Sequence, residues 1–319
     1  MKPKCMMRLS FILLFLLPLS VLGQNDTISF VTYWSKGDVF EYQINKIAKT
    51  WRDGKLRKQE KGGYKARLEV LDSGATYYRV QWTYEMDPRQ FFRLPAQVQN
   101  LAVKLGEMKV IYRVSELGEL QKLENWQEVH QTWREISEMV LQAYGEKLSD
   151  AERATVKSGL DAILQAYNSS EGITSLFLKD LQVLHFAFGS AFKVGETLEY
   201  EDQLPNMMGG KPLKADAKLF ISQVDTTTQQ CVLRHQMHVN PEAAKTFMIQ
   251  ILQKMGATKE EVKKELGQAK IDVNDDNYLE YNYEFGIPIK ITTHRTTQIQ
   301  IGVSKNRKET KRTIVLIRD

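Results

Sequence analysis

Cysteine is nearly absent from this chain: its 319 residues contain two, Cys5 and Cys231. Cys5 lies in the N-terminal leader predicted below, so only Cys231 would remain and no intramolecular disulfide could form. A chain of about 296 residues can bury roughly three quarters of its unfolded surface, so a hydrophobic core can supply the stability instead. Cys231 opens an apolar strand-like run, where a buried thiol is expected rather than a nucleophile.

Recognisable catalytic and metal-binding motifs are also missing. No Gly-x-Ser-x-Gly elbow occurs. His235 and His238 stand three apart on a predicted strand, which points them to opposite faces and makes them poor joint ligands. The run "DVNDDN", residues 272–277, resembles the start of a calcium loop but lacks the glycine at the sixth position, and we interpret it as a polar hairpin turn. No catalytic residue, metal ligand or cofactor is assigned, and an enzyme is the less favoured class.

A basic cluster interleaved with aromatic residues, typical of nucleic-acid binding, is not found. The 44 Lys and Arg against 39 Asp and Glu include three basic residues in the leader, which leaves 41 against 39. The basic run "KNRKETKR", residues 305–312, stands between two strand-like runs and is predicted to be a solvated hairpin tip. We expect no nucleic-acid partner.

The first 23 residues have the features of a secretory signal peptide. Lys2, Lys4 and Arg8 precede an apolar run that is too short to span a membrane, and small residues and a polar stretch follow. The sequence therefore predicts cleavage after Gly23, export to the periplasm or the extracellular medium, and no transmembrane segment in the mature chain. Residues 24–319 contain no Pro/Gly/Ser-rich linker and are predicted to form one domain.

Hydrophobic periodicity predicts strands at 38–123, helices at 125–188, and strands with one helical pair at 196–318. The strands alternate apolar and polar residues, which is typical of antiparallel pairing with one wet face. The helices have apolar residues at spacings of three and four. This order predicts an α+β fold in which a large curled antiparallel sheet, an incomplete barrel, packs against a block of helices.

Several stretches resemble uncharacterised secreted proteins of Bacteroidota-type bacteria: "GDVFEYQI", "GELQKLENW", "GETLEYEDQLPNMMGGKP" and "YNYEFGIPIKITTHR". The predicted architecture is more loosely similar to the lipoprotein-carrier type of periplasmic fold. That second resemblance implies an apolar cavity that carries an acyl chain or a similar ligand, although a fold does not fix a function.

We therefore predict an exported, non-enzymatic protein that binds an apolar or lipid-like ligand between sheet and helices. The ligand-groove candidates are Tyr42, Trp82, Tyr84 and Trp133. The loop with Met207 and Met208 is a second contact candidate, because flexible thioethers suit adaptable apolar contacts. Two alternatives stay open: a structural protein that meets an envelope partner through surface loops, and a hydrolase without a recognisable motif. The sequence does not determine the oligomeric state.

Overall fold

The computed structural model of this chain describes residues 27–85, 108–145, 149–166, 168–204, 213–254, 258 and 269–317. The strands in these ranges are β1 (Thr27–Phe30), β2 (Val39–Arg52), β3 (Lys55–Gly74), β4 (Tyr77–Glu85), β5 (Lys109–Ser115), β6 (Leu120–Leu123), β7 (Ser190–Lys193), β8 (Thr197–Leu204), β9 (Leu213–Asp225), β10 (Gln230–Val239), β11 (Lys270–Asn282), β12 (Ile287–Ile301) and β13 (Ser304–Leu316). The helices are α1 (Trp126–Gly145), α2 (Asp150–Ala166), α3 (Ser170–Phe177), α4 (Lys179–Leu184) and α5 (Pro241–Lys254).

Eleven strands form one antiparallel sheet in the order β6-β5-β4-β3-β2-β13-β12-β11-β10-β9-β8. Every pair but one joins strands that follow each other in the chain. The exception is β2 with β13, which pair from Arg52 beside Asn306 to Tyr42 beside Leu316. This pairing joins the strands before the helical block to those after it, so the predicted α+β fold with a large, unclosed antiparallel sheet is confirmed.

The helices cover one face of this sheet. Residues directly opposite each other in neighbouring strands share a face, and alternate residues along each strand point the same way. The buried positions of β2 to β5 and β9 to β13 follow that alternation and pack with Ile173 of α3 and Leu181 and Leu184 of α4. A second cluster forms where α5 lies on β9, β10 and β11, around Ala244. None of the helices in the described part is long and apolar enough to cross a bilayer.

Local hydrogen bonds explain where the helices begin. Ser149 and Glu152 form a capping box before α2, since the Ser149 N–H donates to Glu152 Oε2 (2.8 Å). Asn240 Oδ1 accepts from the N–H groups of Glu242 and Ala243 at the start of α5. The chain leaves helical geometry at Leu178, which separates α3 from α4.

Two turns differ from the sequence prediction. The "DVNDDN" run is not a turn but the middle of β11, paired on both sides with β10 and β12. Residues 305–312 likewise lie within β13, and the turn that precedes it falls at Gly302 and Val303. In both cases a neighbouring strand pairs with the polar run, so polar side chains alone were a poor guide to where the chain turns. The β2–β3 hairpin, by contrast, turns at an Asp-Gly pair typical of such turns, and both Asp53 and Gly54 have positive φ.

A two-stranded antiparallel sheet of β1 and β7 stands beside the large sheet and was not predicted. The loop after β1 packs closely against Gly286, which has φ +61° and whose missing Cβ would meet the Val31 carbonyl and the Thr32 backbone. Glycine is therefore required at this close approach of two backbones.

Candidate functional site

Aromatic side chains from three adjacent strands meet on the helix-facing side of the sheet. Tyr42, Ala66 and Tyr84 are directly opposite one another in β2, β3 and β4, and the small Ala66 leaves room between the two tyrosines. Trp82 stacks on Tyr42 with 6.0 Å between ring centroids and meets Tyr84 edge-on at 6.2 Å. Tyr64 lies 5.4 Å from Tyr84, also between centroids. We call Tyr42, Tyr64, Trp82 and Tyr84 the aromatic group.

The structure thus brings three of the four predicted groove residues together. Tyr42, Trp82 and Tyr84 are all buried, and burial raises the pKa of both tyrosine hydroxyls well above its ordinary value. Trp133, on α1, is half-buried and packs against the same hydrophobic core. Contact of these residues with a ligand stays a prediction. Met207 and Met208 lie outside the described residues.

Asp180 of α4 connects the aromatic group to the basic side chains beside it. Its Oδ1 accepts a hydrogen bond from Arg312 Nη1 (2.5 Å), and its Oδ2 accepts one from the Tyr64 hydroxyl. The carboxylate is buried, and the Arg312 side chain keeps 22% of its exposure. Burial, followed by the charge of Asp180, raises the pKa of Tyr64, so its hydroxyl stays protonated and donates.

Four cations line the helix-facing side next to Asp180: Lys46, Lys179, Arg295 and Arg312. We call them the basic group. Partial burial lowers the pKa of the Lys179 ammonium, and the charges of the other three members lower it further. Arg295 forms a two-pronged ion pair with Asp275, at 2.6 Å for each contact. Asp275 and Asp180 pair with Arg295 and Arg312, and the positive charge of Lys46 also stabilises the ionised Glu60 carboxylate. The four cations therefore face three carboxylates and keep a small surplus of positive charge.

Small side chains cover the centre of the sheet beyond the aromatic group, between α4 and the far ends of the strands. These half-buried residues, here called the trough, are Ala48, Thr50, Thr293, Thr297 and Thr310. Ala48 stands opposite Thr310 in the β2–β13 pairing, and Thr293 stands opposite Arg312 in the β12–β13 pairing. The trough therefore adjoins the aromatic and basic groups, with Arg295 between Thr293 and Thr297 on the same face, and the trough's own side chains are short.

The buried histidines have structural partners. His185 lies between Gly118 and Tyr112. Because the Gly118 carbonyl can only accept a hydrogen bond, the proton of the neutral His185 ring is on Nδ1, which donates to that carbonyl (2.8 Å). The Nε2 atom of His185 then accepts a hydrogen bond from the Tyr112 hydroxyl (3.0 Å). Burial lowers the pKa of His185 to about 4. The His235 ring stacks on Phe186 at 4.8 Å between centroids, and burial lowers its pKa as well.

Cys231 and the two histidines of β10 lie on the faces that the sequence predicts. Cys231 is buried as predicted, and burial raises the pKa of its thiol to about 12. His235 points into the core while His238 lies on the outer face, which confirms that they diverge. Over the described ranges no three His, Cys, Asp or Glu side chains are grouped so that they could hold a metal ion.

Sequence reasoning identified the aromatic residues but missed Asp180, Arg312 and the rest of the basic group. Asp180 and Arg312 are 132 residues apart in the sequence, and nothing in their neighbourhoods marks them as partners. A signal did exist for Lys46 and Arg312, because both fall on the apolar face of otherwise alternating strands.

The solved structures to which this chain is similar include two of low sequence identity. One is a chain in a structure of lipid–protein interactions in lipovitellin, with 9% identity and a TM-score of 0.41; the match covers 89% of this chain, which spans 25% of the lipovitellin chain. The other is a protein from Bacteroides fragilis described as exported and as having a YmcC-like fold, with 10% identity, a TM-score of 0.23, and coverage of 90% of this chain and 97% of that one. At TM-scores this low, neither similarity bears on ligand or activity.

No protein-family model matches this chain. No curated protein matches it either.

Proposed function

We propose that this protein is an exported, non-enzymatic binding protein that holds an apolar or lipid-like ligand in the trough, between the sheet and the helices. The observation that carries the proposal is that three different surfaces adjoin one another on the helix-facing side of the sheet. A buried aromatic group is followed by a trough of short side chains, and both adjoin a basic group with surplus positive charge.

An amphiphile fits these surfaces better than a purely apolar ligand. A hydrocarbon chain in the trough would remove apolar surface from water at both the ligand and the strands, which is the usual driving force for such sites. A carboxylate or phosphate headgroup would then lie near Lys46 and Lys179, and the partial burial of Lys179 strengthens charge–charge attraction there. The ligand class proposed is therefore an acyl chain with an anionic headgroup.

The trough can be tested by filling it. Ala48→Trp places an indole in the trough, and we expect it to weaken binding of the fluorescent fatty acid cis-parinaric acid by about tenfold or more. Ile47→Trp is the matched control, because the neighbouring residue of β2 points to the outer face. Binding that is equally strong in the wild type and the Ala48→Trp variant would contradict the proposal, as would a wild-type protein that does not bind the probe.

The headgroup contact has a separate test. Changing both Lys46 and Lys179 to Gln should weaken binding of the ionised fatty acid and leave binding of its neutral methyl ester nearly unchanged. Equal effects on the acid and the ester would show that the basic group does not contact the headgroup, even if the trough binds the chain.

The proposal that the protein is exported rests on the N-terminal sequence, which lies outside the described residues. Expression in a bacterium with an outer membrane should yield a periplasmic or secreted protein whose mature sequence begins at Gln24. Mass spectrometry of the intact protein would reveal this, and a cytoplasmic protein that keeps residues 1–23 would contradict the proposal.

A further inference from the structure

Two hairpin turns lie side by side at one end of the large sheet. One is the β2–β3 turn at Asp53 and Gly54, and the other is the β12–β13 turn at Gly302 and Val303. The Asp53 N–H donates to the Lys305 carbonyl (2.7 Å), and the Lys305 N–H donates to Asp53 Oδ1 (2.8 Å). These bonds fix one turn against the other. We call residues 49–58 and 300–309 the tip.

The tip concentrates positive charge to a degree that the sequence alone does not reveal. It contains eight Lys and Arg against two Asp and Glu, a net charge of +6, whereas the rest of the chain has 36 basic and 37 acidic residues. The two basic runs are about 250 residues apart in the chain, as the Asp53–Lys305 separation of 252 shows, and pairing of β2 with β13 unites them. The positive electrostatic potential of such a charge cluster attracts anionic surfaces.

Aliphatic side chains stand exposed among these cations. Val303, in the β12–β13 turn, is 98% exposed, Leu56 is 51% exposed and Ile301 is 39% exposed. Every residue from 52 to 61 is exposed as well, so this end of β3 has no apolar cover. Single exposed aliphatic residues are common on protein surfaces, but three of them at adjoining turns inside a basic patch combine the two features that bind the interface of an anionic bilayer.

We propose that the tip docks on the surface of a membrane that contains anionic lipids. Val303 and Leu56 would enter the boundary between headgroups and acyl chains, and the surrounding Lys and Arg would contact lipid phosphates. Each basic residue close to an anionic bilayer strengthens binding by about fivefold. Nucleic acid fits less well, because Trp51 is the one aromatic residue of the tip and the Arg307 guanidinium lies over its ring, 5.2 Å from the centroid.

Vesicle co-sedimentation of the chain without its leader tests this docking. We expect binding to vesicles that contain phosphatidylglycerol, little binding to pure phosphatidylcholine vesicles, and weaker binding as salt rises. Changing Lys55, Arg57, Lys305 and Arg307, which are exposed and are not opposite any trough residue, together to Gln should lower binding by at least about tenfold. The matched control changes four exposed lysines away from the tip, Lys36, Lys65, Lys109 and Lys122, and should bind like the wild type.

Insertion of Val303 into the bilayer is tested separately with the variants Val303→Asp and Val303→Trp. The aspartate should lower vesicle binding, and the tryptophan should add a fluorescence component that shifts to the blue when phosphatidylglycerol vesicles are present. The proposal is overturned if the wild type does not bind the vesicles, if the tip and control variants lose binding equally, or if the tip variant loses binding only to a single-stranded oligonucleotide. Binding of cis-parinaric acid should be the same in all these variants, so docking and ligand binding can fail independently.

Discussion

The ion pair between Asp180 and Arg312 should contribute measurably to stability. Asp180→Asn keeps the size of the side chain but removes its charge, which leaves Arg312 among the other cations without a counter-charge. Removing one partner of a fully buried pair costs about 3–5 kcal/mol. Because the Arg312 and Asp180 side chains keep 22% and 12% of their exposure, we expect a smaller loss, about 2–3 kcal/mol of unfolding free energy.

Urea denaturation followed by tryptophan fluorescence would measure this loss as a lower midpoint with an unchanged slope. Glu196→Gln is the control, since it breaks the exposed Lys193–Glu196 pair and should cost less than about 1 kcal/mol. A double-mutant cycle with Arg312→Met should give a coupling energy above about 1 kcal/mol. If Asp180→Asn costs no more than the Glu196 control, the carboxylate does not anchor α4 on the sheet and the reasoning is wrong.

Three further predictions concern single buried positions. His185 takes up a proton below about pH 6.5 in the unfolded chain but only near pH 4 in the folded protein. The unfolding free energy should therefore fall by up to about 3 kcal/mol as the pH drops through that window. Urea midpoints measured at pH 7 and pH 5 should differ less in His185→Gln than in the wild type. Because burial holds the Cys231 thiol protonated, it should react with a disulfide reagent far more slowly in native protein than in urea, and equal rates would refute the buried-thiol account. Gly286→Ala should cost more than Gly302→Ala, about 2 kcal/mol or more against about 1, because only the first Cβ meets backbone; equal melting temperatures would contradict this.

The strands of the sheet could be predicted because the features that identify them, alternation and turn residues, are local in the sequence. The alternation in β2, β4 and β9 identifies each strand and its buried face, and the Asp53-Gly54 dipeptide identifies the hairpin turn. The failures came where pairing overrides local polarity. The polar middle of β11 stays extended because β10 and β12 bond to both of its edges, and nothing within residues 272–277 indicates those neighbours.

The candidate site could be predicted only in its apolar half. Tyr42, Trp82 and Tyr84 belong to alternating strands that neighbour each other in sequence, so their meeting follows from the hairpins. The basic group combines residues of β2, α4, β12 and β13, and it depends on the β2–β13 pairing between the two halves of the chain. The tip depends on the same long-range pairing, because its two basic runs are far apart in the sequence and only the β2–β13 pairing brings them together.

Photo-crosslinking with a diazirine-bearing fatty acid tests the central claim, that an amphiphile is held between sheet and helices. After irradiation and proteolysis, mass spectrometry should find the label on peptides that contain Ala48 or Thr293, and excess unlabelled fatty acid should remove it. Labelling confined to the outer face of the sheet or to the tip, with the trough peptides unmodified, would contradict the account.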